Sequence, residues 1–93
     1  MPTGNDDPVV QRFRKQISDN DLKIVDALNA RLTLVKQLRA YKEQEGYDLV
    51  DPAREQAMLS FVSQANKGPL SDEALAELYR HLVEVSKREA ARH

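Results

Sequence analysis

A chain of 93 residues is one domain at most, and a lone core of that size is only marginally stable, so extra burial from a partner chain is expected. The 14 lysines and arginines against 15 acidic residues leave a net charge of −1, which excludes a broad field for nucleic acid or an anionic membrane and confines any anion site to a local cluster. Without cysteine there is no disulfide, thiol nucleophile or thiolate metal site. No apolar run reaches membrane-spanning length, and the polar start from Met1 to Asp7 has no signal-peptide core. The expectation is a soluble cytoplasmic protein with a flexible leader over residues 1–7.

Asp7 followed by Pro8 reads as an N-cap with proline at the first helical position, and nothing interrupts the helical pattern before Gly46. The helix so defined has about 38 residues and a length of roughly 57 Å. A compact globule of this chain length would be only about 30 Å across. That mismatch predicts an all-α fold of three helices with a very long first helix, assembled as an intertwined antiparallel homodimer. Residues 46–51 form a loop, and Asp51 with Pro52 repeats the cap signal for a second helix running to about Asn66, ended by Lys67, Gly68 and Pro69. Ser71 caps a third helix, with Leu70 and Leu75 placed as a hydrophobic staple, and the helical domain extends over residues 8–93. Repeats, low-complexity tracts and strand-like alternation are absent.

The seam of the first helix, spaced by four and three residues in turn, reads Val10, Arg14, Ile17, Asp21, Ile24, Leu28, Arg31, Val35, Leu38, Lys42. Phe13, Val25 and Leu32 widen its apolar face, while Arg12, Lys15, Lys23 and Lys36 lie off it. In the second helix Met58, Phe61, Val62 and Ala65 share a side with Arg54. The third is expected to bury Leu75, Leu78, Tyr79 and Leu82, a line that continues into Ser86.

A cation on a seam is costly unless it is paired or faces a wet pocket. Taken singly, Arg14, Arg31 and Lys42 are explained by a neighbouring acid or by snorkelling. Taken together, with Arg54 also on an inner face, they suggest a small substrate bearing at least two carboxylates. From position 14 to 31 is 17 residues, or roughly 26 Å along one rigid helix, beyond the span of a small metabolite. Two such helices packed antiparallel bring Arg14 of one chain beside Arg31 and Lys42 of the other, so that a two-fold dimer would hold two shared sites. Asp51 is explained as an N-cap, Glu55 as a first-turn acid and Ser86 as a small packing residue, unless the site recruits them. His81 and His93 have no partner at catalytic or metal spacing and receive no role, and Tyr41, Tyr47 and Tyr79 read as core or rim. Phosphate loops, nucleophile elbows and paired-carboxylate signatures are missing, so chemistry here would rest on binding and electrostatics.

An early arginine on a very long helix, a second arginine and a lysine further along, then Asp-x-x-Arg-Glu opening the next helix resemble the all-helical chorismate mutases. The likeness covers about residues 8–90, and its most specific pieces are Phe13-Arg14-Lys15-Gln16-Ile17-Ser18, Asn29-Ala30-Arg31-Leu32, Lys42 and Val50-Asp51-Pro52-Ala53-Arg54-Glu55. The resemblance implies a Claisen rearrangement of chorismate to prephenate, a step of phenylalanine and tyrosine biosynthesis that needs no cofactor, metal or covalent catalyst. It implies that Arg31 and the partner's Arg14 hold the two carboxylates, with Ser86 and Arg54 supporting. Lys42 then meets the ether oxygen, and Glu55 with the Asp51 region takes the ring hydroxyl. One departure stands out: where such enzymes commonly carry a glutamine or glutamate one turn after the serine, to donate a second hydrogen bond to the ether oxygen, this chain has Ala90. Glu89 could substitute only as a neutral acid on a rotated helix end. Because some relatives act fused to or bound by another shikimate-pathway enzyme, the short, imperfect C-terminus also fits dependence on such a partner.

Two rival readings remain at this point. An isochorismate pyruvate lyase resembles the chain through Arg14, Arg31 and Lys42, although Asp51 with Arg54-Glu55 favours the mutase. A non-catalytic regulatory dimerisation domain of the same fold would account for Ala90.

Overall fold

The computed structural model describes residues 2–92, which form three α-helices and no strand. Helix α1 spans Pro8–Glu45, α2 spans Pro52–Ala65 and α3 spans Asp72–Ala90. The described residues fall into two compact units, one ending at Thr33 and one beginning at Leu34, so that α1 contributes to both.

The start of α1 is fixed by local chemistry. The Asp7 carboxylate accepts the Val9 N–H at 2.8 Å, and the Asp7 carbonyl accepts the Gln11 N–H at 3.0 Å, satisfying donors that a helix start leaves unpaired. Ahead of the cap, the Asp7 N–H donates to the Gly4 carbonyl at 3.0 Å and the Asn5 N–H to Thr3 Oγ1 at 3.2 Å, so residues 3–7 form a hydrogen-bonded turn.

Helix α1 ends in a Schellman motif. Gly46 takes φ +75°, its N–H reaches the Glu43 carbonyl at 3.3 Å, and the Tyr47 N–H reaches the Lys42 carbonyl at 2.8 Å. Tyr47 also lies edge-on to Tyr41, with ring centroids 6.4 Å apart, which supplies the apolar contact that accompanies this stop.

Asp51 caps α2, its carboxylate accepting the Arg54 N–H at 3.0 Å with Pro52 in the first turn. Between α2 and α3 a single side chain organises the turn. The Asn66 amide accepts the Gly68 N–H at 3.1 Å and donates to the Leu70 carbonyl at 2.8 Å and the Asp72 carboxylate at 2.9 Å. Ser71 Oγ then accepts the Ala74 N–H at 3.2 Å and opens α3.

In the second unit α2 packs against α3, with Met58, Leu59 and Val62 half-buried on one and Leu75, Tyr79, Leu82 and Val83 half-buried on the other. Leu78, expected inside, is 58% exposed, and Phe61 on α2 is 70% exposed. The helical period marks an apolar face wider than one neighbouring helix can cover. No hydrophobic side chain among the described residues is buried. In the first unit the seam residues Ile17, Ile24 and Leu28 and the adjoining Phe13 all stand exposed.

Candidate active site

The residues singled out from the sequence divide between the two units. In the first, Arg14 is exposed on α1 and its guanidinium donates to the Asn5 side-chain oxygen. Arg31 is half-buried on the same helix. In the second, Lys42 is half-buried in the last turn of α1. Its place is fixed by the Schellman stop, which closes the helix immediately beyond it.

Asp51, Arg54 and Glu55 sit together at the start of α2. The Asp51 carboxylate is engaged by the Arg54 N–H, and the Arg54 side chain is exposed. Glu55 is half-buried and forms an ion pair through Oε1 with Nζ of Lys87 on α3. Next to Lys87 in the chain is Ser86, at 7% exposure the single buried residue among those described. Packing of α2 on α3 therefore brings the Asp51–Glu55 segment toward the Ser86–Lys87 segment.

A cavity of about 230 Å³ opens between these two helices, floored by Met58, Leu59 and Val83 and rimmed by Glu55, Glu84, Arg80 and Lys87. It falls below the roughly 300–1,000 Å³ usual for small-molecule sites. Of the sequence candidates only Glu55 lines it. Arg80, Glu84 and Lys87 were missed, although their spacing of four and three residues puts them on one face of α3 with Val83. The tie of Lys87 to Glu55 crosses between helices and leaves no local signal in the sequence.

At the end of α3 Ala90 is half-buried, and Glu89 accepts from Arg92 at 3.2 Å. His81 is exposed on α3, and His93 lies outside the described residues. No described helix is long and apolar enough to cross a membrane. Nor do the described residues include a group of three or more histidine, aspartate or glutamate side chains placed to hold a metal ion.

A single long capped helix, two shorter ones and a mixed-charge cavity between the second and third define an all-helical scaffold. The sequence matches the family described as chorismate mutase type II over residues 13–91. The chain belongs to that family. Its fold is similar to the solved structure of the form II chorismate mutase from Thermus thermophilus, with a TM-score of 0.86 and 27% identity over 90% of this chain and 96% of that one. A second structure from the same organism, form I, gives a TM-score of 0.81 and 28% identity over 83% and 96% of the two chains. Among curated protein sequences none matches significantly.

Proposed function

We infer that the family's reaction is this chain's own: it is a chorismate mutase, an isomerase that converts chorismate to prephenate. The observation that carries this is the family match over residues 13–91, within which each cation and acid of the candidate site falls. The reaction is a unimolecular Claisen rearrangement in which the enolpyruvyl ether bond breaks as a carbon–carbon bond forms. Catalysis consists of holding the reactant in its compact conformer and meeting the charge that grows on the ether oxygen with fixed donors.

Arg31 and the partner's Arg14 bind the two carboxylates, with Arg54 and Ser86 in support. Lys42 donates to the ether oxygen, and Glu55 with the Asp51 region receives the ring hydroxyl. Half-burial of Arg31 and Lys42, in a chain with no buried apolar residue among those described, supports their reading as inward cations. Burial of Ser86, the one buried residue among those described, supports its reading as an inward-facing polar group of α3.

The functional form is an intertwined antiparallel homodimer. Along α1 the side chains of Phe13, Ile17, Ile24 and Leu28 all stand exposed, and an apolar seam left uncovered in this way supports burial against a second copy of the chain.

The test is to incubate purified protein with chorismate, follow its consumption, and convert the product to phenylpyruvate with acid. Chorismate disappears and phenylpyruvate forms, while isochorismate yields no salicylate. Salicylate from isochorismate would identify the lyase instead. Binding of a transition-state analogue without turnover would identify a regulatory domain.

A further inference from the structure

The leader makes one contact that no role in the reaction explains. Asn5 presents its side-chain oxygen to the Arg14 guanidinium, and Asn5 is itself held from two sides. Its N–H donates to Thr3 Oγ1 at 3.2 Å, and its carbonyl accepts the Gln11 side-chain amide, one turn into α1, at 2.9 Å. The turn carrying it needs Gly4, whose φ of +74° is a backbone conformation that side chains with a Cβ rarely adopt. The acceptor is therefore built in place by backbone and side-chain hydrogen bonds before it meets the arginine.

We propose that Asn5 is a positioning residue for the mutase reaction, fixing the Arg14 guanidinium in the orientation in which it receives a substrate carboxylate. This rests on the reading of Arg14 as a carboxylate-binding residue. An exposed arginine on a helix samples many rotamers, and binding must freeze them. Asn5 does so beforehand. Being a neutral amide, it takes one of the guanidinium's several N–H donors without cancelling its charge, and the rest of the fork stays available to an incoming carboxylate. A carboxylate at this position would compete with the substrate, and the two aspartates that follow are displaced from it, Asp7 being occupied as the cap of α1.

The experiment is a double-mutant cycle on the full chain, with helicity and dimer content checked for each variant. N5A lowers kcat/KM about three- to tenfold, the effect of losing one ordinary, solvent-exposed hydrogen bond. The loss falls on KM, because the carboxylate is held alike in ground and transition states. In an R14A background N5A adds no further loss, whereas a role in folding alone would carry over. G4A, which disturbs the turn while leaving both side chains in place, lowers kcat/KM in the same direction and is not additive with N5A. Loss of activity in R14A with N5A indistinguishable from wild type would overturn the inference alone. Unchanged activity in R14A would overturn it together with the reading of Arg14, and an N5A loss that persists in R14A would assign Asn5 a structural role.

Discussion

The ion pair between Glu55 and Lys87 uses Oε1 of the carboxylate, which leaves Oε2 for the ring hydroxyl that the proposed function assigns to Glu55. Lys87→Ala should therefore raise KM severalfold by releasing Glu55 from its orientation. Both side chains are substantially exposed, Lys87 at 49% and Glu55 at 36%, so the accompanying loss of stability should stay under about 1 kcal/mol. Steady-state kinetics beside thermal unfolding separates the two, and a large fall in stability with unchanged KM would make the pair purely structural. At Ala90 the missing donor sets another expectation. Ala90→Gln should raise kcat more than it changes KM, since a hydrogen bond to the ether oxygen strengthens as charge develops there. One well-placed donor is worth about a hundredfold to a thousandfold, and an unsupported glutamine near a helix end should deliver only severalfold to tenfold. Glu89→Ala should change little, because that carboxylate is committed to Arg92. A severe loss in Glu89→Ala, with no gain in Ala90→Gln, would reverse this assignment.

The three helices begin at Asp7-Pro8, Asp51-Pro52 and Ser71 because a short polar side chain followed by a proline or a good helix former is a local instruction, read without knowledge of the rest of the chain. For the same reason Gly46 could be read as the end of α1, where its φ of +75° would strain any residue with a Cβ. Since an added Cβ at Gly46 meets nothing within 4 Å, Gly46→Ala isolates that conformational term. It should cost about 1 kcal/mol and lower the melting temperature by about 4–8 °C, as calorimetry would show, and no change would mean that the Schellman stop is dispensable. Other features depended on contacts between segments distant in sequence. Leu78 and Phe61 lie on helically spaced apolar faces, yet a period reports which side needs covering and not what covers it, and the described residues leave both side chains mostly exposed. Lys87 and Asn5 escaped notice because each acts on a residue of another element, through a packing and a turn that no short spacing encodes.

Across the whole molecule the decisive fact is an all-helical chain without a buried apolar residue among those described, for which the proposed function assigns two arginines to the substrate's carboxylates. Arg14 and Arg31 cannot both serve one small substrate from a single rigid helix, separated as they are by roughly 26 Å, so the account stands on a site assembled from two copies. Sedimentation should find a dimer wherever the protein is folded, and a stable helical monomer would remove the foundation of that site. The sharper measurement is complementation. Arg14→Ala and Arg31→Ala should each lose most activity as pure proteins. Refolded together at equal amounts, they should pair at random, about half the dimers being mixed and each mixed dimer holding one intact site, so that about a quarter of wild-type turnover returns. A mixture no more active than its inactive parents would show that both arginines act from one chain, and the shared site would be wrong.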